Sequence, residues 1–223
     1  RDPRWGRTGE TFGEDPYLSG TMSVAEIKAI QAKGLIGMAK HYLANEQETN
    51  RTTIQETVDR QVLRELYLLP FEMSVKDGKV ASIMCAYNYL NGVSSCENRE
   101  TLTDILRNDW GFTGYVQSDF FATKTTVGTM NAGMDFMMPT PQQWAPALLN
   151  SALTAGTITL AQIDKALERR YTQMFKYGIF DRPIVQTPID FTANGIVARD
   201  IGGKSAVLLQ NNGALPFSST VQK

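Results

Sequence analysis

Short apolar runs alternate with longer amphipathic segments along most of the chain. Four runs, at residues 35–39, 80–85, 115–116 and 134–138, have the character of buried strands. Each is followed by a segment in which apolar residues recur every three or four positions, as on one face of a helix. Because parallel strands need a crossover connection, this strand-then-helix repeat predicts an α/β fold with a parallel sheet.

The helical segments carry start and stop signals. Gly34 and Gly111 each follow such a segment, and glycine is common just past a helix end. Thr53–Glu56 and Thr159–Gln162 have the spacing of capping boxes, which predicts that a helix begins at each. We expect Pro70 to break the helix that starts near Thr53. In addition to the helix that ends at Gly111, we predict helices at 18–33, 53–69, 70–78, 120–131, 142–155 and 160–176.

The last part of the chain differs in pattern. Residues 181–192 contain two prolines and no periodicity, as expected of a linker. The run Ala206–Leu209 and the polar turn after it indicate the opening of a second domain. Because the first residues, Arg1–Arg7, have the character of the middle of a longer sequence, we expect the chain to be a fragment.

Composition narrows the classes of partner. The formal net charge is -1 and no block of Lys and Arg is present, so a nucleic acid or an anionic membrane is not expected as a partner. The chain contains no apolar run of the length that crosses a bilayer. One histidine and two cysteines make a zinc site unexpected, and we predict no metal and no cofactor.

The two cysteines, Cys85 and Cys96, flank a loop rich in turn residues. A disulfide across so short a loop would contribute about 2–3 kcal/mol and would indicate an oxidising compartment. The alternative is two free buried thiols. Asn50 begins an N-glycosylation sequon, Asn-Arg-Thr, which fits secretion.

Polar side chains that could take part in catalysis follow the predicted strands. Asp119 lies between an apolar run and two phenylalanines, which suits a nucleophile or a stabiliser of a cationic transition state. The alternative is that Asp119 caps a helix beginning at Phe120. Lys40, His41 and Tyr87 also follow apolar runs, where the alternatives are a structural histidine and a tyrosine that only packs. Carboxyl ends of parallel strands carry the chemistry in α/β barrels.

Several motifs in this order resemble glycoside hydrolase family 3, the β-glucosidase and β-xylosidase family. The resemblance covers almost the whole chain, and it implies a partial (β/α)8-like barrel followed by the start of an α/β sandwich. The implied division is 1–180 for the C-terminal portion of the barrel, 181–194 for a linker and 195–223 for the sandwich. The motifs are Arg1–Arg7, Glu10 with Gly13–Pro16, Gly37–His41, Asn45–Glu48 with Arg51, Met84–Asn88, Ser118–Asp119, Gly133–Asp135 and Val207–Asn211.

Carried over position by position, the resemblance implies that Asp119 is the catalytic nucleophile. The residues that it implies around the bound sugar are Arg7, Lys40, His41, Arg51, Met84 and Tyr87. It also implies a disulfide between Cys85 and Cys96. The family usually has Trp directly after the nucleophile, whereas this chain has Phe120, which keeps an aromatic platform but loses the indole N–H. By the same resemblance, the acid/base glutamate is expected beyond Lys223.

The resulting hypothesis is a retaining exo-β-glycosidase, a β-glucosidase that releases terminal β-linked glucose from oligosaccharides or glycosides. We expect a secreted, glycosylated enzyme of carbohydrate metabolism and cellulose degradation, with a small sugar as its partner and a homodimer left open. Without its proton donor, the chain alone is expected to be inactive. The alternatives are a β-xylosidase and a catalytically silent sugar-binding protein. The N-acetylhexosaminidase branch is disfavoured because Tyr-Leu-Ala-Asn follows Lys40-His41.

Overall fold

The computed structural model describes residues 2–218, and the chain divides into two compact units, Arg1–Arg182 and Pro183–Lys223. The first unit contains the strands and all helices but the last. The strands are β1 (Met38–Tyr42), β2 (Gln55–Glu56), β3 (Ser82–Cys85), β4 (Tyr89–Leu90), β5 (Val93–Ser94) and β6 (Tyr115–Ser118). The α-helices are α1 (Pro16–Ala32), α2 (Arg60–Val62), α3 (Leu69–Lys76), α4 (Thr126–Ala132), α5 (Pro146–Thr154), α6 (Leu160–Lys176) and α7 (Phe191–Ser205).

The main sheet consists of three parallel strands in the order β1-β3-β6. Tyr42 at the end of β1 pairs with Cys85 at the end of β3, and Cys85 pairs with Ser118 at the end of β6. The three carboxyl ends are therefore level along one edge. This arrangement is the α/β sheet with helical crossovers that the strand-then-helix pattern predicts.

The fourth predicted strand, at residues 134–138, is reduced to one parallel bridge between Gln117 and Phe136. The prediction of a full strand is wrong because side chains take two of the positions that ladder bonds would occupy. The Asp135 carboxylate accepts from Val116 N, and Met138 N donates to Ser118 Oγ. The segment still lies beside β6, as a fourth neighbour in the sheet would.

The predicted helix start at Thr53 is also wrong. Gln55 and Glu56 form β2, which pairs in parallel with β4, and the helix begins at Arg60 with the Asp59 carboxylate accepting from Gln61 N. The helix does not break before Pro70. It continues from α2 through a π-helical segment, Leu63–Leu68, into α3, where the proline occupies the first turn. Because the helix is continuous here, the missing N–H of Pro70 leaves one intrahelical hydrogen bond unmade, at the point where the π-helical segment changes to an α-helix.

Of the remaining helices of the first unit, α1 and α6 match their predicted ranges within two residues, whereas α4 and α5 begin six and four residues later than predicted. α1 is capped by Asp15, and α6 has the capping box predicted at Thr159 and Gln162. The helix that ends before Gly111 is a π-helix, Glu100–Asp109. Short 3-10 turns at Thr8–Glu10 and Ser95–Glu97 complete the unit.

Helices α1 and α3 and the π-helix Glu100–Asp109 contribute to an apolar core shared with the sheet. Tyr42, Ile83 and Val116, one from each main strand, are fully buried in it. The Tyr42 ring packs edge-on against Phe71, and its hydroxyl donates to the Thr101 carbonyl. This close packing fixes the register of the three strands, because a shift of β1 along its neighbour would move Tyr42 out of its packing site.

A buried ion cluster ties the start of β6 to the helices. Asp135 accepts from Arg107 and Arg169 as well as from Val116 N, and its side chain is fully buried. Arg107 also donates to the carbonyls of Gly114 and Gly133. Removing one partner of such a cluster leaves an uncompensated buried charge.

In the second unit, α7 begins inside the segment predicted as a linker and is capped by Asp190, which accepts from Ala193 N. The pattern did not predict this helix because Gly195, Gly202 and Gly203 interrupt its apolar positions. Among residues 2–218, none of the helices combines the length and the apolar character needed to cross a lipid bilayer.

Candidate active site

The level strand ends bring three side chains of different chemistry to one edge of the sheet. His41 lies in β1, Asp119 directly follows β6, and Tyr87 lies two residues beyond the end of β3. His41 Nε2 lies 3.4 Å from Asp119 Oδ2, and the Tyr87 phenol lies close enough to the Asp119 carboxylate for the carboxylate to raise its pKa. Residues 78 positions apart in sequence thus meet because their strands are parallel and in register.

The main chain around Asp119 is held on both sides. Asp119 N donates to Cys85 O, and Asp119 O accepts from Ala122 N. Ser118 N and Phe121 N donate to the carbonyls of residues 136 and 138. Asp119 is therefore part of a fixed turn, and only 14% of its side chain is exposed.

The alternative role of Asp119 as a helix cap is wrong. No helix begins at Phe120, since α4 starts at Thr126 and its N-cap is Thr125, whose hydroxyl accepts from Gly128 N. The Asp119 carboxylate does accept from Phe120 N at 2.7 Å, which orients one oxygen. The other oxygen faces His41.

Two arginines surround this centre. Arg7 Nη1 lies 3.4 Å from His41 Nε2, and the Arg7 guanidinium makes a bidentate ion pair with Glu10. Glu10 and, to a smaller extent, Asp119 raise the pKa of Arg7, so this group stays cationic. The Arg51 guanidinium lies over the Tyr87 ring, 4.5 Å from its centroid.

Tyr87 is nearly buried, with 8% of its surface exposed. Burial is the main reason that the pKa of its phenol is raised, and the nearby Asp119 carboxylate raises it further, while Arg51 and Arg7 oppose both. The hydroxyl therefore keeps its proton and remains a hydrogen-bond donor beside Asp119.

Glu48 connects the two loops that carry the arginines. Its Oε1 accepts from Trp5 Nε1 at 2.7 Å and from Asn45 Nδ2 at 3.1 Å, and its Oε2 accepts from Arg51 Nη1 at 2.7 Å. Burial alone raises the pKa of Glu48, but the hydrogen bonds from Trp5 and Arg51 outweigh it and leave the pKa below its ordinary value. The connection of Glu48 to Trp5 spans 43 residues and becomes visible only in three dimensions.

The disulfide between Cys85 and Cys96 lies directly behind the centre. Cys85 O accepts from Asp119 N, and Glu97, next to Cys96, accepts from the amides of Lys124 and Thr125 in the loop that follows Asp119. The covalent link therefore supports the turn from two directions.

Other predicted site residues lie near the edge without a direct contact to Asp119 among the described interactions. Lys40 precedes His41, has an exposed side chain and helps to lower the pKa of Glu10. Met84 precedes Cys85 and is half-buried. Phe120 is 47% exposed beside Asp119, and Asn50 is an exposed residue with φ of 55°.

A cavity of about 540 Å³ lies between α1, β1 and the helix Leu63–Lys76. Lys40 and Glu10 line it, but Asp119, His41 and Tyr87 do not. We assign the chemistry to the strand ends because the carboxylate, phenol and arginines meet there. No group of three or more His, Cys, Asp or Glu residues suited to a metal ion is present within residues 2–218.

The sequence is similar to a known family of glycosidases and to individual β-glucosidases. The sequence profile of the family described as the glycosyl hydrolase family 3 N terminal domain matches residues 1–172. A β-glucosidase of Rhizobium radiobacter is 36% identical over 217 residues, which is 96% of this chain and 26% of that protein. β-Glucosidase B of Emericella nidulans is 36% identical over 99% of this chain and 27% of its own length. The chain thus spans about a quarter of the length of these relatives.

Solved structures show the same fold. β-Glucosidase 3B from Thermotoga neapolitana in complex with glucose superposes with a TM-score of 0.91 and 35% identity, over 98% of this chain and 32% of that one. DesR, a β-glucosidase from Streptomyces venezuelae in complex with D-glucose, gives 0.89 and 40% over 98% of this chain and 30% of that one. The prediction of an α/β fold with a partial barrel is confirmed.

Proposed function

The chain belongs to glycosyl hydrolase family 3, and we propose that it supplies the nucleophile and the sugar-binding side chains of a retaining exo-β-glycosidase. The proposed activity is that of a β-glucosidase, which releases terminal β-linked glucose. One observation carries it: the Asp119 carboxylate lies at the common carboxyl edge of β1, β3 and β6, with the Tyr87 phenol, His41 and Arg7 around it. A carboxylate held by neutral and cationic donors suits attack on an anomeric carbon.

In the proposed reaction, Asp119 attacks the anomeric carbon while the glycosidic bond breaks, and the leaving oxygen takes a proton from a second carboxyl group. Water then attacks the glycosyl-enzyme, and the second group, now a base, takes the proton of that water. Tyr87 orients the nucleophile, since its raised pKa keeps the phenol a donor. Arg7, Lys40, His41 and Arg51 are proposed to bind sugar hydroxyls, with Met84 and Phe120 lining the pocket.

The second carboxyl group is proposed to come from polypeptide outside this sequence. A general acid needs a raised pKa, and both candidates close to the centre, Glu10 and Glu48, have lowered values. Arg7 lowers the pKa of Glu10, while Trp5 and Arg51 lower that of Glu48. Without an acid/base, the isolated chain is expected to lose about 100- to 10,000-fold in rate.

Glucose is preferred over xylose in this proposal because the similar proteins are named β-glucosidases and two similar structures hold glucose. Assays with aryl β-glucoside, β-xyloside and N-acetylglucosaminide, run side by side on the full-length protein that carries this sequence, test it. Faster turnover of the xyloside would favour the β-xylosidase, and no turnover of any substrate would favour a silent sugar-binding protein.

Asp119→Asn in the full-length protein tests the nucleophile. Turnover of the β-glucoside should be lost while the melting temperature stays within about 2 °C, because the turn is held by main-chain bonds. Asp109→Asn is the matched control, since Asp109 pairs with Arg64 at the exposed surface. Full activity in Asp119→Asn would remove the proposed nucleophile.

Two further assignments remain proposals. The division into a barrel portion at 1–180, a linker at 181–194 and a sandwich beginning at 195–223 is supported by the two compact units. An extracellular location is supported by the Cys85–Cys96 disulfide and the exposed Asn50 sequon, whereas a role in cellulose degradation is proposed from the likeness to β-glucosidases alone. Glycan analysis of the secreted protein tests the extracellular location, and sedimentation velocity tests the homodimer.

A further inference from the structure

A single carboxylate joins the two arginine-bearing loops of the site. Glu48 accepts from the Trp5 indole, two residues before Arg7, and from the Arg51 guanidinium. Trp5 is buried, with 4% of its surface exposed, so the indole is a fixed anchor. Glu48 thus connects a loop before α1 with the loop after β1, although the two are 43 residues apart at this contact.

The position of Arg51 depends on this contact. Its Nη1 donates to Glu48 Oε2 at 2.7 Å, while its guanidinium carbon lies 4.5 Å from the centroid of the Tyr87 ring. Tyr87 in turn lies beside Asp119. An arginine side chain has several free torsions, and it stays over one aromatic ring only where a partner at its tip fixes them.

The charge of Glu48 also matters to Arg7. Glu48 is among the groups that raise the pKa of Arg7, although Glu10 contributes more. The lowered pKa of Glu48 keeps it ionised at neutral pH. A neutral side chain of the same shape would leave two guanidinium groups near His41 and Tyr87 with one counter-ion fewer.

We propose that Glu48 is a positioning residue for the glycosidase reaction: it holds Arg51 against Tyr87 and anchors the loop of Arg7 through Trp5, and so orders the surroundings of Asp119. The inference rests on the proposed function. Glu48 acts through Arg51 and Trp5 and takes no proton itself.

Glu48→Gln separates the two links. The carbonyl oxygen of the new amide still accepts from Trp5 and Asn45, whereas its NH₂ group faces Arg51 Nη1, and two donors cannot bond. Loss of this charge-assisted hydrogen bond should lower kcat/KM for an aryl β-glucoside by about 10- to 100-fold, mostly through kcat. Glu100→Gln, which removes an exposed ion pair with Arg60, is the matched control and should leave both constants unchanged.

Active-site titration with a 2-fluoro-glucoside distinguishes positioning from a folding defect. A structural role would reduce the number of titratable sites and leave kcat per site unchanged, whereas the proposal predicts full titration with a lower kcat per site. In an Arg51→Ala background, adding Glu48→Gln should change kcat/KM by no more than about threefold. The guanidinium through which Glu48 is proposed to act is already absent in that background. Effects that multiply in the double variant would overturn the inference.

If Glu48→Gln does not fold, Trp5→Phe removes the indole N–H together with part of the buried ring system, and kcat/KM should fall by about 3- to 10-fold. An unchanged value would contradict the link. Wild-type protein that cleaves no β-glucoside would defeat the proposed function, and a crystal structure of a folded variant would then decide the inference. Arg51 displaced from the Tyr87 ring in either variant supports it, and Arg51 in place contradicts it.

Discussion

Replacing Tyr87 by Phe isolates the effect of the phenol hydroxyl on the neighbouring Asp119 carboxylate. The ring stays, so the packing of a residue with 8% exposure and the stacking of Arg51 at 4.5 Å are kept. Only the hydroxyl is removed from the carboxylate. The perturbation is therefore confined to one donor.

The magnitude follows from the charge of the acceptor. A hydrogen bond to an ionised group contributes about 1.5–3 kcal/mol net, which corresponds to a fall of about 10- to 150-fold in kcat/KM if the bond orients the nucleophile in the transition state. Stability should change by less than about 2 kcal/mol, because the Asp119 carboxylate keeps the bond from Phe120 N and is partly exposed to water.

The assay is steady-state hydrolysis of an aryl β-glucoside by the full-length protein, with thermal unfolding measured in parallel. Tyr177→Phe is the control, because Tyr177 is a tyrosine at the C-terminal cap of α6, away from the strand ends. A Tyr87→Phe enzyme with kcat/KM within twofold of the wild type would refute the idea that this phenol orients Asp119. A drop in melting temperature that accounts for the lost activity would refute it equally.

Three further results are expected. Asp135→Asn leaves Arg107, whose side chain is 7% exposed, without its counter-ion, and should destabilise the chain by about 3–5 kcal/mol in denaturant titration; a change below 1 kcal/mol would show that water compensates the charge. Because the folded pKa of Glu48 lies below its ordinary value of 4.5, its contribution to stability is present above pH 4.5 and is lost as the pH falls through the folded pKa. Glu48→Gln should therefore show a smaller loss of stability in that acidic range than the wild type, and an identical pH profile would contradict the assignment. Reduction of the Cys85–Cys96 disulfide, which spans 11 residues, should cost about 3 kcal/mol; thiol titration of the denatured, unreduced protein should find no free thiol, and two thiols would exclude the bridge.

The sequence alone predicted part of the sheet. The apolar runs predicted parallel strands because their spacing left room for helical crossovers, and the runs at 80–85 and 115–116 end within one or two residues of β3 and β6. The run at 134–138 failed as a strand because Asp135 and Ser118 replace ladder bonds with side-chain bonds. No periodicity reports such a substitution.

Tertiary contacts that no local signal reports also decide where helices start and how the site is assembled. Thr53–Glu56 and Thr159–Gln162 have the same local signal, yet only the second begins a helix, because β2 pairs with β4 in tertiary contact. At the site, the position after an apolar run marked Asp119, His41 and Tyr87 as candidates, and the family resemblance supplied their roles. The indole of Trp5 reaching Glu48 across 43 residues has no local signal at all.

The most direct test of the account is to trap the intermediate on the full-length protein with a 2-fluoro-glucoside and to locate the label by peptide mass spectrometry. The account predicts one fluoroglucosyl group, attached to Asp119. A label on another carboxylate, or none on a protein that turns over β-glucosides, would contradict the placement of the nucleophile at the end of β6.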